Sequence, residues 1–180
     1  METEHLRTRI RAIAARMRAA RTKEALAAII AEEVATYSLL DLLQIRGTLE
    51  RELRYVPGGY RARLQPVIME HFFGMHHAIM AGFNAGRYDC DHGPVEGKLG
   101  EFCYMLAHIP DQDEDWDLRF AFLYYLIEAF TIFVCELPGH PVGTPFPGGF
   151  LVEALDGTYY CPGRATEDDV ETSLCPVRPA

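Results

Sequence analysis

Glu128 is the carboxylate at the centre of the apolar run LRFAFLYYLIEAFTIFVCEL, Leu118 to Leu137. On a helix Tyr124, Glu128, Thr131 and Cys135 fall at steps of four, three and four, so they share one side. A carboxylate on a buried face demands a cation or a hydrogen-bond donor, because an unpaired buried charge is expensive. The preceding long helical stretch carries Arg63, Glu70, Gly74 and His77 in a similar stripe. Glu70 and His77 are therefore the candidate buried polar pair, and His77 or an arginine is the expected partner of Glu128. The plain role for such a pair is to fix helix register.

The second set of reactive groups is thiol and imidazole. Cys135 and His140 bracket the end of the apolar run, Cys161 follows a strand pattern, and Cys175 lies in LCPVRPA. Thiolates with an imidazole suit zinc or an iron–sulfur centre, so Cys135, His140, Cys161 and Cys175 are the candidate metal ligands. No Cys-x2-Cys pair of a zinc ribbon accompanies them, and buried cysteines acting as small apolar side chains are the commoner case.

The intervening stretch, HPVGTPFPGGFLVEALDGTYYCP, alternates residues that fix φ with residues that free it. It is expected to hold one conformation without regular hydrogen bonding and to form one wall of a pocket. His140, Thr144, Tyr159 and Cys161 would line that pocket, with Glu128 or Cys135 at its floor. His140 would be its titrating or metal-binding group near neutral pH. A compact connector with no pocket is the alternative.

Other motifs fail on spacing. IPDQDEDWDL has alternating aspartates, but Trp116 replaces the turn glycine of a calcium loop. GPVEGKL is not a phosphate loop, and neither of the two serines, Ser38 and Ser173, sits in a nucleophile elbow.

Helical elements must position these groups. Leu6, Ile10, Ile13 and Met17 recur at helical spacing amid arginines, and Thr22 can cap a second helix reaching about Thr36. Ser38 with Asp41 reads as a capping box for a third helix, whose core stripe would be Leu39, Leu42, Leu43, Ile45, Leu49 and Leu53. A fourth helix, from about Tyr60 to Met80, would carry Pro66 as a bend. FNAGRYDCDHGP, Phe83 to Pro94, reads as a loop, and a fifth helix spans about Val95 to His108. The sixth, about Asp115 to Glu136, is apolar all round and therefore central. Asp156-Gly157 between two β-rich runs signals a two-residue type I′ hairpin. Its register puts Phe150, Val152, Ala154, Tyr159 and Cys161 on one face, which is expected to pack on the helices.

The predicted fold is mainly α, a bundle of five or six helices with a small C-terminal β-hairpin. One domain spans 1–180: basic and Ala-rich helices to 35, a helical core over 38–136, the Pro/Gly loop and hairpin over 138–162, and a tail over 163–180. With 180 residues, 49% of them hydrophobic and 24% charged, the chain can bury a sizeable core. The net charge is −9, and beyond Lys23 the balance is −14. Such an acidic body argues against extended nucleic-acid binding. Glu128 at mid-run opposes a membrane span, and an odd cysteine count suits a cytoplasmic setting.

HPVGTPFPGG…DGTYYCP, with looser support from SLLDLLQIRGTLERELRYVPGGYR, resembles an uncharacterised protein family of methanogenic and related archaea. The resemblance implies a cytoplasmic archaeal protein and supplies no reaction. The family tail carries further cysteines where this chain has Cys175 alone. The expected function is a non-catalytic binding or scaffold protein that meets a protein partner. The alternative is a zinc- or iron–sulfur-dependent enzyme or regulator using Cys135, His140 and Cys161.

Overall fold

The computed structural model describes residues 2–88, 92–95, 97–111 and 117–163. Among these residues, six α-helices are followed by one antiparallel hairpin: α1 (Glu2–Ala19), α2 (Lys23–Val34), α3 (Leu39–Glu52), α4 (Gly58–Ala85), α5 (Leu99–His108), α6 (Leu118–Ala129), β1 (Glu153–Leu155) and β2 (Thr158–Tyr160). The expected class, mainly α with a small C-terminal hairpin, holds.

Caps set the early boundaries. The Thr22 side chain accepts from the Ala25 N–H at the start of α2. Ser38 and Asp41 make the reciprocal capping box of α3, with Asp41 Oδ2 accepting from the Ser38 N–H at 2.7 Å. α4 runs unbroken through Pro66 and three turns past the middle of its apolar stretch, ending at Ala85. Gly86 then takes φ 65°, and the Arg87 N–H returns to the Gly82 carbonyl, so the stop lies beyond the start expected for the loop.

α6 is central, as its composition requires. Ala121, Phe122, Leu123, Leu126, Ile127 and Ala129 are all buried. α2 packs against α4 and α6, α1 against α5, and α4 against α6. After Ala129 the helix widens into a five-residue π-helical segment, Phe130–Val134, in which the Cys135 N–H reaches the Phe130 carbonyl. The turn ends at Glu136 with φ 55°, unusual for a residue with a Cβ. Glu136 Oε1 lies 2.8 Å from the Nζ of Lys23, whose side chain is buried at the start of α2.

Polar ties bind the helices at their rims. Arg9 Nε reaches Glu33 Oε1 at 2.8 Å between α1 and α2, and burial still pushes the Glu33 carboxyl up against that cation. Arg119 donates to Asp41 Oδ1 at 2.8 Å and stacks on the Tyr37 ring, 4.6 Å from its centroid. The Tyr37 hydroxyl donates to the Arg119 carbonyl.

The apolar stripe read for α3 is only half right. Ile45, Leu49 and Leu53 are buried, whereas Leu39 and Leu43 stand 74% and 57% exposed, with Leu40 beside them. Their spacing is helical, but the neighbouring helices cover only the C-terminal half of that face. Asp111 pairs with Arg11 on α1, Asp117 caps α6 by accepting from the Phe120 N–H at 3.0 Å, and residues 112–116 lie outside the described residues.

Candidate functional site

The hairpin is built on its turn. Asp156 and Gly157 take φ 50° and 80°, the type I′ geometry, which matches the right-handed twist of the strands. Leu155 faces Thr158, Ala154 faces Tyr159 and Glu153 faces Tyr160, the predicted register.

The Pro/Gly loop is more ordered by hydrogen bonds than its composition suggests. The Gly143 N–H donates to the Val152 carbonyl at 2.8 Å, and the Val152 N–H returns to Thr144 at 3.0 Å. The Phe146 N–H reaches the Phe150 carbonyl at 2.7 Å, and Pro145 bridges Leu151. Gly148 and Gly149, with φ 86° and 87°, make the reversal between these two segments. The loop thus pairs with the chain leading into β1, which corrects the expectation of a segment without regular bonding. The Tyr60 hydroxyl anchors it to α4 by donating to the Pro145 carbonyl at 2.7 Å.

Packing of the hairpin differs from the expected inward face. Val152 is buried at 1% exposure and Cys161 is half-buried, but Phe150 is 63% and Tyr159 38% exposed. The face is buried only at its root, at Val152, and both short strands stay exposed along their length. The opposite face carries Leu151, Glu153, Thr158, Tyr160 and Pro162 by alternation. These residues, with Gly149, Phe150, Tyr159 and Cys161, line an open groove of about 790 Å³.

The candidate pocket residues divide among three places. Tyr159 and Cys161 line the groove; His140, Thr144, Cys135 and Glu128 do not. Thr144 is buried, and its hydroxyl is spent on the Pro141 carbonyl at 2.6 Å. His140 Nδ1 lies 3.9 Å from Cys161 Sγ, with its ring edge-on to Phe146. The loop and the hairpin root therefore bring this thiol and imidazole together across 21 residues of chain. Cys175 lies outside the described residues. Among those described, no three His, Cys, Asp or Glu side chains gather closely enough to hold a metal ion.

Glu128 sits apart, in the core between α6 and α4. It is 2% exposed, and its Oε1 lies 3.7 Å from His71 Nε2. That distance exceeds a good hydrogen bond. Glu128 Oε2 is buried without a hydrogen-bond partner in the described structure, and so is His71 Nε2. The Glu70–His77 pair is a correction: both residues are exposed, and α4 turns His71 toward Glu128 instead. Thr131, on the same side of the helix, is buried, and its hydroxyl donates back to the Ile127 carbonyl. His71 falls seven residues after the buried Leu64 and eight before the buried Ile79, but the apolar residues on nearly every side of α4 hide that stripe in the sequence.

Comparison with known proteins bears on this geometry. Residues 22–180 match the model of a family described as an uncharacterized protein conserved in archaea (DUF2115). The chain belongs to this family. A UPF0305 protein of Methanothermobacter thermautotrophicus is 29% identical over 154 residues, covering 86% of this chain and 92% of that one. A UPF0305 protein of Methanopyrus kandleri is 31% identical over 132 residues, covering 72% and 89%. One from Methanocaldococcus jannaschii is 25% identical over 80% of this chain and 86% of its own. No solved structure matches the chain. The match begins at the capping residue of α2 and includes both the Glu128 helix and the hairpin. No helix among the described residues is long and apolar enough to cross a membrane.

Proposed function

We propose that this is a non-catalytic binding protein that meets a protein partner through its C-terminal hairpin. The observation that carries the reading is the cluster of exposed large apolar side chains there. Val142, Phe150, Leu151, Leu155, Tyr159 and Tyr160 are each between 38% and 63% exposed within a span of nineteen residues. Four of them, Phe150, Leu151, Tyr159 and Tyr160, line the groove; single exposed apolar residues are ordinary, but several gathered at one groove are the mark of an interaction surface. Beneath it the helical bundle encloses α6, from Ala121 to Ala129, on nearly every side.

The test is retention of a native partner by tagged protein, compared with Leu151→Asp and Tyr160→Asp. The expected result is loss of the partner with unchanged helix content by circular dichroism. Retention by both variants would refute the hairpin as the binding surface.

A second reading rests on Cys161 and His140. A tetrahedral zinc ion would hold a sulfur and an imidazole nitrogen about 3.6 Å apart, and the observed separation is 3.9 Å. Cys135 and Cys175 are the candidate remaining ligands. Elemental analysis and an absorption spectrum of protein purified anaerobically decide it. Stoichiometric zinc or a cluster band, lost in Cys161→Ser, favours a metal-dependent role; metal-free protein removes it.

A further inference from the structure

We propose that the hairpin groove takes an extended peptide strand bearing a Lys or Arg, added along the outer edge of β2. The inference rests on the partner-binding reading above and gives that partner its chemistry. Three observations carry it: the edge, the face and the charge.

The sheet has one covered side and one open side. The segment 143–146 pairs with 150–152 and so occupies the side of β1 away from β2, at least at its root. Among the described residues β2 pairs with β1 alone. In a two-residue hairpin the residues flanking the turn exchange both hydrogen bonds, so Leu155–Thr158 and Glu153–Tyr160 are bonded pairs. Tyr159 between them therefore directs its N–H and carbonyl away from β1. An unpaired strand edge of this kind is a template for another strand.

The face beside that edge fits alternating side chains. Leu151, Glu153, Thr158, Tyr160 and Pro162 lie on the same side and line the groove. A strand laid along β2 would place one side chain beside Tyr160, with its two neighbours in the chain exchanging hydrogen bonds with Tyr159 and Cys161. From that position Glu153 is two strand spacings away, on the order of 10 Å. A Lys or Arg stem is long enough to cross the Tyr160 ring and meet the Glu153 carboxylate, which lines the same groove.

The charge selects the cation. Between Leu137 and Gly163 the only charged side chains are Glu153 and Asp156, both acidic, and the chain carries a net −9. An acidic strand would be repelled by both. Within a partly desolvated aromatic groove a basic residue gains from carboxylate and ring together.

The experiment uses the whole chain and a labelled peptide, Thr-Val-Thr-Lys-Thr-Val, followed by fluorescence anisotropy at low salt. Saturable binding is expected. It should weaken about 3- to 10-fold when the peptide Lys is replaced by Glu, or in the protein variant Glu153→Gln. N-methylation of the two threonines flanking the Lys should abolish binding, because it removes the donors that pair with the edge. Tyr159→Pro in the protein removes the outward N–H and should do the same, since proline is tolerated on edge strands. Equal binding of the Glu peptide would overturn the cation requirement. Equal binding of the N-methylated peptide would overturn strand addition, even if Tyr159→Pro failed to fold. No binding up to millimolar peptide would overturn the proposal; dimerisation of the free protein lost in Tyr159→Pro would assign the edge to a second copy. If the peptide fails while Leu151→Asp still releases the native partner, the binding reading stands and only this occupant is wrong.

Discussion

Helix α6 and the hairpin both carry large apolar and aromatic side chains, yet the first is enclosed and the second stands in solvent. From Ala121 to Ala129 only Tyr124 is less than buried, whereas every residue of β1 and β2 is exposed. Composition does not account for that difference; the backbone does. A helix satisfies its own N–H and carbonyl groups and can be surrounded by other helices. A two-stranded hairpin always keeps a row of unpaired groups at its edge, which must face water or another strand. Phe122 and Phe150 are the same residue put to two uses.

The largest expected effect tests that contrast directly. Phe122→Ala removes a fully buried ring and should cost about 3–5 kcal/mol in urea unfolding. Phe150→Ala should change stability by less than about 0.5 kcal/mol, because its ring is already 63% exposed. Comparable losses at the two positions would mean that the hairpin belongs to the cooperative core.

Within the core, the Glu128–His71 contact is the weakest-satisfied feature, and it predicts a non-additive pair. His71→Leu leaves the buried carboxylate without its nearest nitrogen and should cost about 2–3 kcal/mol. Adding Glu128→Met should recover most of that loss, since a well-packed apolar pair replaces an incompletely bonded polar one. Additive losses in the double variant would show that the two side chains stabilise the fold independently.

These two positions also mark what the sequence could and could not reveal. The caps at Thr22 and Ser38, the apolar α6 and the Asp156-Gly157 turn were legible because each is a local rule fulfilled within a few residues. The facing of α4 was not. It carries Val67, Ile68, Met69, Phe72, Phe73, Met75, Ile79 and Met80, apolar on nearly every side, so periodicity leaves His71 and His77 as equal candidates. The exposed Leu39, Leu40 and Leu43 failed for the converse reason: the stripe is real, but nothing along it says how far the neighbouring helices extend. The candidate pocket joined side chains by proximity to one loop, and burial separated Glu128 from Cys161.

A smaller effect concerns the rim that joins α3 to α6. The Arg119 guanidinium, then the Ser38 hydroxyl, hold the Asp41 carboxyl below its ordinary value of 3.8. The folded state thus binds fewer protons than the unfolded chain near that value, so stability rises with pH there. Asp41 contributes its stabilisation above about pH 4 and loses it as pH falls further. Asp41→Asn should flatten the acid limb of a stability–pH profile, and Ser38→Ala should cost about 1 kcal/mol at neutral pH. An unchanged acid limb in Asp41→Asn would remove this tie from the account.

The smallest effect on the whole molecule should come from the hairpin turn, and there the comparison is sharpest. Gly157 sits at φ 80°, where a Cβ is strained by about 1–2 kcal/mol. Nothing else crowds the position, so Gly157→Ala tests backbone conformation alone. If β1 and β2 form a local unit outside the cooperative core, that strain is relieved by opening the turn and the urea midpoint stays where it was. Amide exchange at Thr158 and Tyr160, whose N–H groups pair with β1, should then accelerate by about 5- to 30-fold, while Phe122 and its neighbours exchange as before. Binding of the basic peptide should weaken in step, because the edge it pairs with is open part of the time. A lowered midpoint with unchanged exchange in the strands would reverse the assignment, making the hairpin a brace of the bundle instead of a surface carried by it.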